Sequence, residues 1–240
     1  MDEERFKEIV RALIEWYKKH GRSFLPWRGI KDPNVVLITE FLLQRTKAET
    51  IQRIYHEFMS SFGTIGKLAS TSPEELQRFF RKLGLFYRGE RLVQVSKEIV
   101  EKYGGKVPCD MEELLKLHGV GVYIASAVLN FGCGIPMPVV DKNVLRVLNR
   151  LEKITRESQA RRFIEKLYRY GDHVEIAYAL IDLGALVCKE QPKCSICPLR
   201  ELCPKYPLKK REWKMLRKVI TKNGRVKLQE QPVYPGKKKN

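Results

Sequence analysis

Four cysteines lie within 16 residues near the C-terminal end of the chain, in the order Cys188-x5-Cys194-x2-Cys197-x5-Cys203. Such close spacing is typical of a metal site, and zinc or a [4Fe–4S] cluster are the two groups that it would hold. Zinc sites more often combine two separated Cys-x2-Cys pairs, whereas here one pair is flanked by two lone cysteines. The spacing therefore predicts a [4Fe–4S] cluster wrapped by one loop, with a structural role favoured over a redox role.

The other two cysteines of the chain, Cys109 and Cys133, lie outside this group. Disulfides are rare in proteins of reducing compartments. We therefore expect both residues to be ordinary thiols, either buried or in loops.

A glycine-containing segment, Leu117-His118-Gly119-Val120-Gly121, separates two helical patterns. Both glycines can adopt positive φ, which would let the two helices turn tightly. Such a hairpin leaves backbone N–H groups at the start of the second helix free to bind a phosphate, a contact that holds DNA without reading its bases. A tight corner between helices, with no ligand, is the alternative.

Two acidic residues and a tyrosine are the remaining candidates for chemistry. Asp141 follows Pro138-Val139-Val140 where a new helix is expected to begin, and Glu40 and Tyr123 lie inside helical patterns. Each has a structural alternative: an N-cap for Asp141, a surface carboxylate for Glu40 and a packing ring for Tyr123.

The elements that must position these residues are helices almost throughout. Apolar residues recur at helical spacing from Phe6 to Tyr17, and Gly21 ends that helix. Ser72-Pro73-Glu74-Glu75 is a capped helix start. No alternating pattern requires a sheet, so the predicted fold is all-α. Further helices are predicted over 33–46, 47–61, 88–103, 110–116, 122–132, 141–150, 158–168 and 173–187.

The charge of the chain limits its partners. The 240 residues carry 46 Lys+Arg against 28 Asp+Glu, a formal net charge of +18, and residues 204–240 hold 13 of these cations against two acids. Nucleic acid is the expected partner, and the tail would add affinity for phosphates unless it is merely a solvated end. No apolar run approaches the roughly 18 residues of a membrane span, and the acidic N-terminus is unlike a signal peptide. We expect a cytoplasmic, nucleoid-associated protein.

The hairpin, the aspartate about 20 residues after it and the four-cysteine loop together resemble the helix-hairpin-helix superfamily of DNA base-excision glycosylases, in its iron–sulfur branch. The resemblance covers about residues 24–203, with cores at 117–121, 140–143 and 182–203. Two departures are that the superfamily usually has Pro where His118 stands, and that its first cysteine gap is usually one residue longer.

The resemblance implies a fold of two helical subdomains with a DNA-binding cleft between them. The expected division is a six-helix barrel-type domain with the hairpin over 22–133, a cluster domain of 1–21 plus 134–203, and a basic tail over 204–240.

Three positions distinguish the branches of the superfamily. Endonuclease III-type enzymes carry a nucleophilic Lys two residues after Gly-Val-Gly, where this chain has Tyr123. They also lack a carboxylate matching Glu40. Glu40, Tyr123 and Asp141 together look most like archaeal-type glycosylases that remove thymine or uracil opposite guanine, with little or no lyase activity. A mismatch-specific adenine glycosylase is the first alternative, although the tail is too short for the second domain such enzymes commonly carry. A non-enzymatic DNA-binding module with a four-cysteine metal is the second.

The resemblance also assigns roles, for a monomer acting on duplex DNA with a mismatched or damaged base flipped out of the stack. Asp141 would stabilise an oxocarbenium-like sugar and guide water. Glu40 would hydrogen-bond the flipped pyrimidine or help it leave, and Tyr123 would border the base pocket. The implied DNA contacts are Gln44 in the hole left by the base, Arg45, the wedge Leu85 or Phe86, Arg88, the hairpin residues His118, Gly119 and Gly121, and Lys142.

Overall fold

The structure, a computed structural model, describes residues 3–81 and 86–206, without the side chains of 86–88. These residues form eleven α-helices and, among them, no strand, so the all-α prediction is confirmed. Leu85, the side chains of Phe86 and Arg88, and the tail beyond residue 206 lie outside the described part. The helices are α1 Glu3–His20, α2 Pro33–Leu43, α3 Ala48–Phe62, α4 Ile65–Ser70, α5 Pro73–Arg81, α6 Phe86–Tyr103, α7 Met111–Lys116, α8 Val122–Ala127, α9 Lys142–Glu152, α10 Glu157–Leu167 and α11 His173–Leu186.

Two helices, α2 and α11, are buried on nearly all sides. In α2 every residue from Val36 to Leu42 is buried, and in α11 the buried residues run from Ile176 to Gly184 with one interruption. A helix that is apolar around its whole circumference needs neighbours on every side. Helix α2 packs against α3, α6 and α8, α11 packs against α1 and α9, and a π-helical turn at Val128–Gly132 contacts both.

Local signals in the sequence explain where several helices begin. Asp32 caps α2 by accepting a hydrogen bond from the amide of Asn34 at 2.8 Å, and Pro33 occupies the first turn, where no amide donor is required. The hydroxyl oxygen of Ser72 accepts from the amide of Glu75, as the capped start of α5 predicts. The division into domains at residues 22, 134 and 204 stays a prediction.

One predicted helix end was wrong, and one helix was not predicted. The helix predicted over 33–46 ends at Leu43, because Gln44 leaves the helical conformation with ψ of 116° and Arg45 follows at φ of +55°. Helix α4, Ile65–Ser70, was not predicted, since six residues are too few to show a helical period.

The expectation that Cys109 and Cys133 are thiols was also wrong. They form a disulfide across 24 residues of sequence, with Cα atoms 5.9 Å apart. The chain leaves Cys109, runs through α7 and α8, and returns to Cys133, a path that the spacing of two isolated cysteines does not reveal.

Candidate active site

A cavity of about 850 Å³ brings together the three residues predicted to do chemistry. Glu40 comes from the buried helix α2, Tyr123 from the first turn of α8, and Asp141 from the residue that precedes α9. They are separated by 83 and 18 residues of sequence, yet all three line the same space.

Glu40 is the most enclosed of the three, with 8% of its surface exposed. Burial raises its pKa from 4.5 to about 7, and the nearby Asp141 carboxylate adds to the rise. The Arg28 guanidinium and a hydrogen bond from the Tyr123 hydroxyl act in the opposite direction but do not cancel the burial. Glu40 is therefore a carboxyl group that changes protonation state near neutral pH.

Tyr123 lies against Glu40, and its hydroxyl group donates a hydrogen bond to that carboxyl group. Burial raises the pKa of Tyr123 well above 10, and the Glu40 and Asp141 carboxylates raise it further. The phenol thus stays a neutral donor and cannot replace an amine as a nucleophile.

Asp141 is held at the N-terminus of α9 by hydrogen bonds to both of its carboxylate oxygens. One oxygen accepts from the amide of Val144 at 2.7 Å, and the other accepts from Nδ2 of Asn143 at 2.8 Å. The same carboxylate therefore caps the helix and lines the cavity, so the N-cap that was its structural alternative does not remove it from this space.

A chain of hydrogen bonds connects Asn143 to the four-cysteine segment. Nη2 of Arg146 donates to Oδ1 of Asn143 and to the carbonyl oxygen of Gly184, while its Nε donates to the carbonyl oxygen of Cys188. Helix α11 approaches α9 closely at Gly184, where an added Cβ would lie 2.7 Å from Cβ of Asn143 and 2.9 Å from its backbone. The glycine is needed here for close packing.

Arg28 is a residue of the cavity that was not predicted. Its Nη2 donates to the fully buried Asp182 at 2.9 Å, and its guanidinium carbon lies 3.7 Å from the ring centroid of Tyr178. Asp182 also accepts three hydrogen bonds from the backbone and side chain of Arg22. Nε and Nη1 of Arg28 are buried without a hydrogen-bond partner. The only signal in the sequence was the aromatic loop Phe24-Leu25-Pro26-Trp27-Arg28.

The two glycines of the hairpin have different conformations. Gly119 has φ of +74°, and an added Cβ would lie 3.3 Å from the ring of Phe41 in α2. Gly121 has φ of −95°, an extended conformation open to any residue, so of the two glycines it is Gly119 that uses the left-handed conformation. The amide of His118 already donates to Glu98. Gly121 provides no side-chain cap, so the first amides of α8 have no partner within the helix.

Three further predicted DNA contacts, Gln44, Arg45 and Lys142, do not themselves line the cavity. Gln44 and Arg45 form the turn between Leu43 and Thr46, which both line the cavity. Arg45 is exposed in the left-handed conformation, uncommon for a residue with a side chain. Lys142 is exposed at the first position of α9.

The four clustered cysteines are all free of disulfides, and they share a small apolar cavity next to α9 and α11. Nη1 of Arg150 lies 3.3 Å from Sγ of Cys188, and burial raises the pKa of Cys197 to about 12. In the part of the chain that is described, no three potential metal ligands are drawn together closely enough to coordinate an ion.

Comparisons with known proteins agree on the family. Residues 38–170 match the family described as HhH-GPD superfamily base excision DNA repair protein. The chain is 35% identical to the thymine-DNA glycosylase of Aeropyrum pernix, over 86% of this chain and 97% of that protein. It is 33% identical to an adenine DNA glycosylase of Buchnera aphidicola, over 82% of this chain and 58% of that protein.

Among solved structures, a thermostable thymine-DNA glycosylase superposes with a TM-score of 0.78 at 30% identity, covering 85% of this chain and 97% of that one. No helix within residues 3–81 and 86–206 is long and apolar enough to cross a membrane. The chain belongs to the HhH-GPD superfamily of base excision DNA repair proteins.

Proposed function

We propose that this protein is a DNA N-glycosylase that releases thymine or uracil mispaired with guanine in duplex DNA. The observation that carries the proposal is the convergence of Glu40, Tyr123 and Asp141 on one cavity. The likeness to thymine-DNA glycosylases over most of both chains supports the choice of base.

The duplex must present its target base outside the stack, because atoms inside a base pair are out of reach. The free amides at the start of α8 lie beside Gly119 and suit a backbone phosphate. Gln44 and Arg45 lie between two residues that line the cavity, Leu43 and Thr46, and Gln44 would enter the space left by the flipped nucleotide. Leu85 or Phe86 would act as the opposing wedge, and Arg88, His118 and Lys142 would contact the backbone.

The reaction breaks the bond between C1′ of the sugar and N1 of the base, and water supplies the new oxygen at C1′. Positive charge builds on the sugar and negative charge on the departing base. Asp141 stabilises the sugar cation and accepts a proton from the incoming water. Protonated Glu40 donates a hydrogen bond to a carbonyl oxygen of the pyrimidine, so that the negative charge has a donor to receive it.

Arg28 is a second donor for the flipped base. Its Nε and Nη1 carry protons that find no acceptor in the described protein, although the side chain is almost fully buried. Leaving charged donors unpaired is costly, and a carbonyl oxygen of a bound pyrimidine would satisfy them. Asp182 and the ring of Tyr178 hold the guanidinium in place for this contact.

A [4Fe–4S] cluster held by Cys188, Cys194, Cys197 and Cys203 fits the donor chemistry of this segment. All four thiols are free, all four line one apolar cavity, and Arg150 provides a positive charge beside Cys188. When bound, the cluster would cross-link the four cysteines of this loop, which hydrogen bonds of Arg146 and Arg150 already connect to α9. The hydrogen bonds of Arg146 would carry that rigidity to Asn143 and Asp141.

The lyase chemistry of some relatives is not expected here, because Tyr123 occupies the position of the nucleophilic lysine. Reduction with borohydride in the presence of abasic DNA should therefore trap no covalent complex. Strong trapping would restore the bifunctional interpretation, and Lys47→Ala and Lys189→Ala would then show which of these two cavity-lining amines is responsible.

One panel of labelled duplexes tests the proposal. Substrates carrying G·T, G·U, A·G, A·8-oxoguanine and thymine glycol are incubated with the full chain and then cleaved by alkali at abasic sites. We expect release of thymine and uracil opposite guanine. Release of adenine alone would select the adenine glycosylase alternative, which the Buchnera relative favours. Release of no base would favour a DNA-binding module.

A further inference from the structure

The disulfide between Cys109 and Cys133 encloses the hairpin. Cys109 directly precedes Asp110, which caps α7, and Cys133 directly follows the π-helical turn that continues α8. The bond therefore joins the two outer ends of the helix-hairpin-helix, and the loop it closes contains the hairpin turn at 117–121.

The first helix of this motif is too short to hold its arrangement alone. Helix α7 has six residues, and an isolated helix of such length does not persist in water, whereas α8 continues into the buried π-helical turn. Leu114 is the buried residue of α7, and Leu115 is 42% exposed. Only a few polar contacts add to this, such as the hydrogen bond from the Tyr103 hydroxyl to Glu113.

Both ends of the disulfide adjoin the start of α2, the helix that carries Glu40. On the Cys109 side, Oδ1 of Asn34 accepts from the amide of Val107 at 2.8 Å. On the Cys133 side, an added Cβ at Gly132 would lie 2.6 Å from Cα of Pro33. The disulfide therefore joins two segments that both contact the start of α2, the helix that carries Glu40.

We propose that the Cys109–Cys133 disulfide is a redox-sensitive clamp that fixes the helix-hairpin-helix and thereby sets the affinity of the protein for the DNA backbone. The proposal rests on the proposed function, in which the hairpin contacts phosphates. A preorganised hairpin binds DNA without first losing conformational freedom, whereas a released one must be ordered on binding.

The clamp opens by exchange with a dithiol. One thiolate of the dithiol attacks a sulfur of the bond and forms a mixed disulfide, and the second thiolate then displaces the protein sulfur. The dithiol loses two electrons and two protons and leaves as a disulfide, while Cys109 and Cys133 gain them as thiols. Cys109 is exposed, so a small dithiol reaches the bond without unfolding the chain.

The test compares the oxidised protein, the protein treated with a dithiol, and the double variant Cys109→Ser with Cys133→Ser. The dissociation constant is measured on a duplex with a non-cleavable abasic analogue, and thymine release from G·T duplex is measured at saturating enzyme. We expect opening of the clamp to weaken binding by about tenfold. The saturating rate should change little, because the residues of the cavity stay in place.

Controls distinguish an effect of the Cys109–Cys133 disulfide from an effect of the four clustered thiols. They also distinguish a failure of the clamp from a failure of the proposed function. The dithiol should not weaken the double variant further. Unfolding in an alkylating agent without reductant should label four of the six cysteines, and labelling of all six would overturn the clamp. Equal affinity before and after reduction would also overturn it, and this comparison needs no variant to fold. Absence of base release in the oxidised protein, with a redox-dependent affinity, would instead contradict the proposed function.

Discussion

Two carboxyl groups, Glu40 and Asp141, line the same cavity in unlike surroundings: burial disfavours a negative charge on Glu40, whereas hydrogen-bond donors surround the carboxylate of Asp141. Glu40 extends from a helix buried on all sides, and burial raises its pKa to about 7. Asp141 stands at the N-terminus of α9 and accepts hydrogen bonds at both oxygens, an arrangement that stabilises a carboxylate anion. Pairs of carboxyl groups in such unlike settings divide acid and anionic roles between them. The contrast predicts that protonated Glu40 works as a hydrogen-bond donor to the departing base and Asp141 as the negative charge beneath the sugar.

The largest effect is expected from removing the charge of Asp141. Asp141→Asn should slow thymine release by about a thousandfold or more, since both charge stabilisation and water activation are lost. Asparagine caps helices as well as aspartate does, so folding and DNA binding should survive. Single-turnover rates and dissociation constants measure the two properties separately. Turnover near that of the wild type would exclude Asp141 from the mechanism.

A smaller loss of activity is expected from Arg28→Lys, which changes the guanidinium near Glu40. The substitution keeps the positive charge but removes the planar set of donors, which should lower the single-turnover rate about 10- to 100-fold. Arg22→Lys is the matched control, because Arg22 bonds the same Asp182 but has no buried unpaired nitrogen. Equal losses in both variants would mean that Arg28 only supports the fold.

On the Asp141 side, Gly184→Ala should move the carboxylate without changing its chemistry. The new Cβ overlaps Asn143, so α9 must shift relative to α11, and we expect a loss of roughly tenfold in rate. Gly66→Ala in α4 is the control, since nothing lies within 4 Å of its added Cβ, and it should stabilise the protein slightly. Unchanged kinetics in Gly184→Ala would show that the position of Asp141 is not set by this contact.

These residues also show which parts of the site could be predicted from the sequence. The cysteine spacing, the Gly-Val-Gly hairpin and Asp141 were visible because each is a local pattern with a local physical meaning. Arg28 was not visible, because its place in the cavity depends on contacts with Asp182 and Tyr178, which are about 150 residues away in the chain. The Cys109–Cys133 disulfide was missed for the same reason, since it depends on how separate segments meet.

The smallest expected effect is on the pH dependence of the free energy of unfolding, which follows from the raised pKa of Glu40. An acid whose folded pKa is raised favours the folded state fully only below its unfolded value of 4.5, and this advantage is lost as the pH rises through about 7. The side chain of Glu40→Gln cannot lose a proton. The free energy of unfolding of this variant, relative to that of the wild type, should therefore rise by about 1 kcal/mol between pH 6 and pH 8. Denaturant titrations at the two pH values measure the difference, and a constant difference would place the pKa of Glu40 outside this window.

The contrast between the two carboxyl groups is tested most directly by the pH dependence of kcat/KM for thymine release, in the wild type and in Glu40→Gln. Because protonated Glu40 is the proposed donor, the wild-type value should fall by about tenfold per unit above a pH of about 7. Glu40→Gln keeps a neutral donor at every pH, so its profile should stay flat through the same range. The same decline in both proteins would contradict the division of roles.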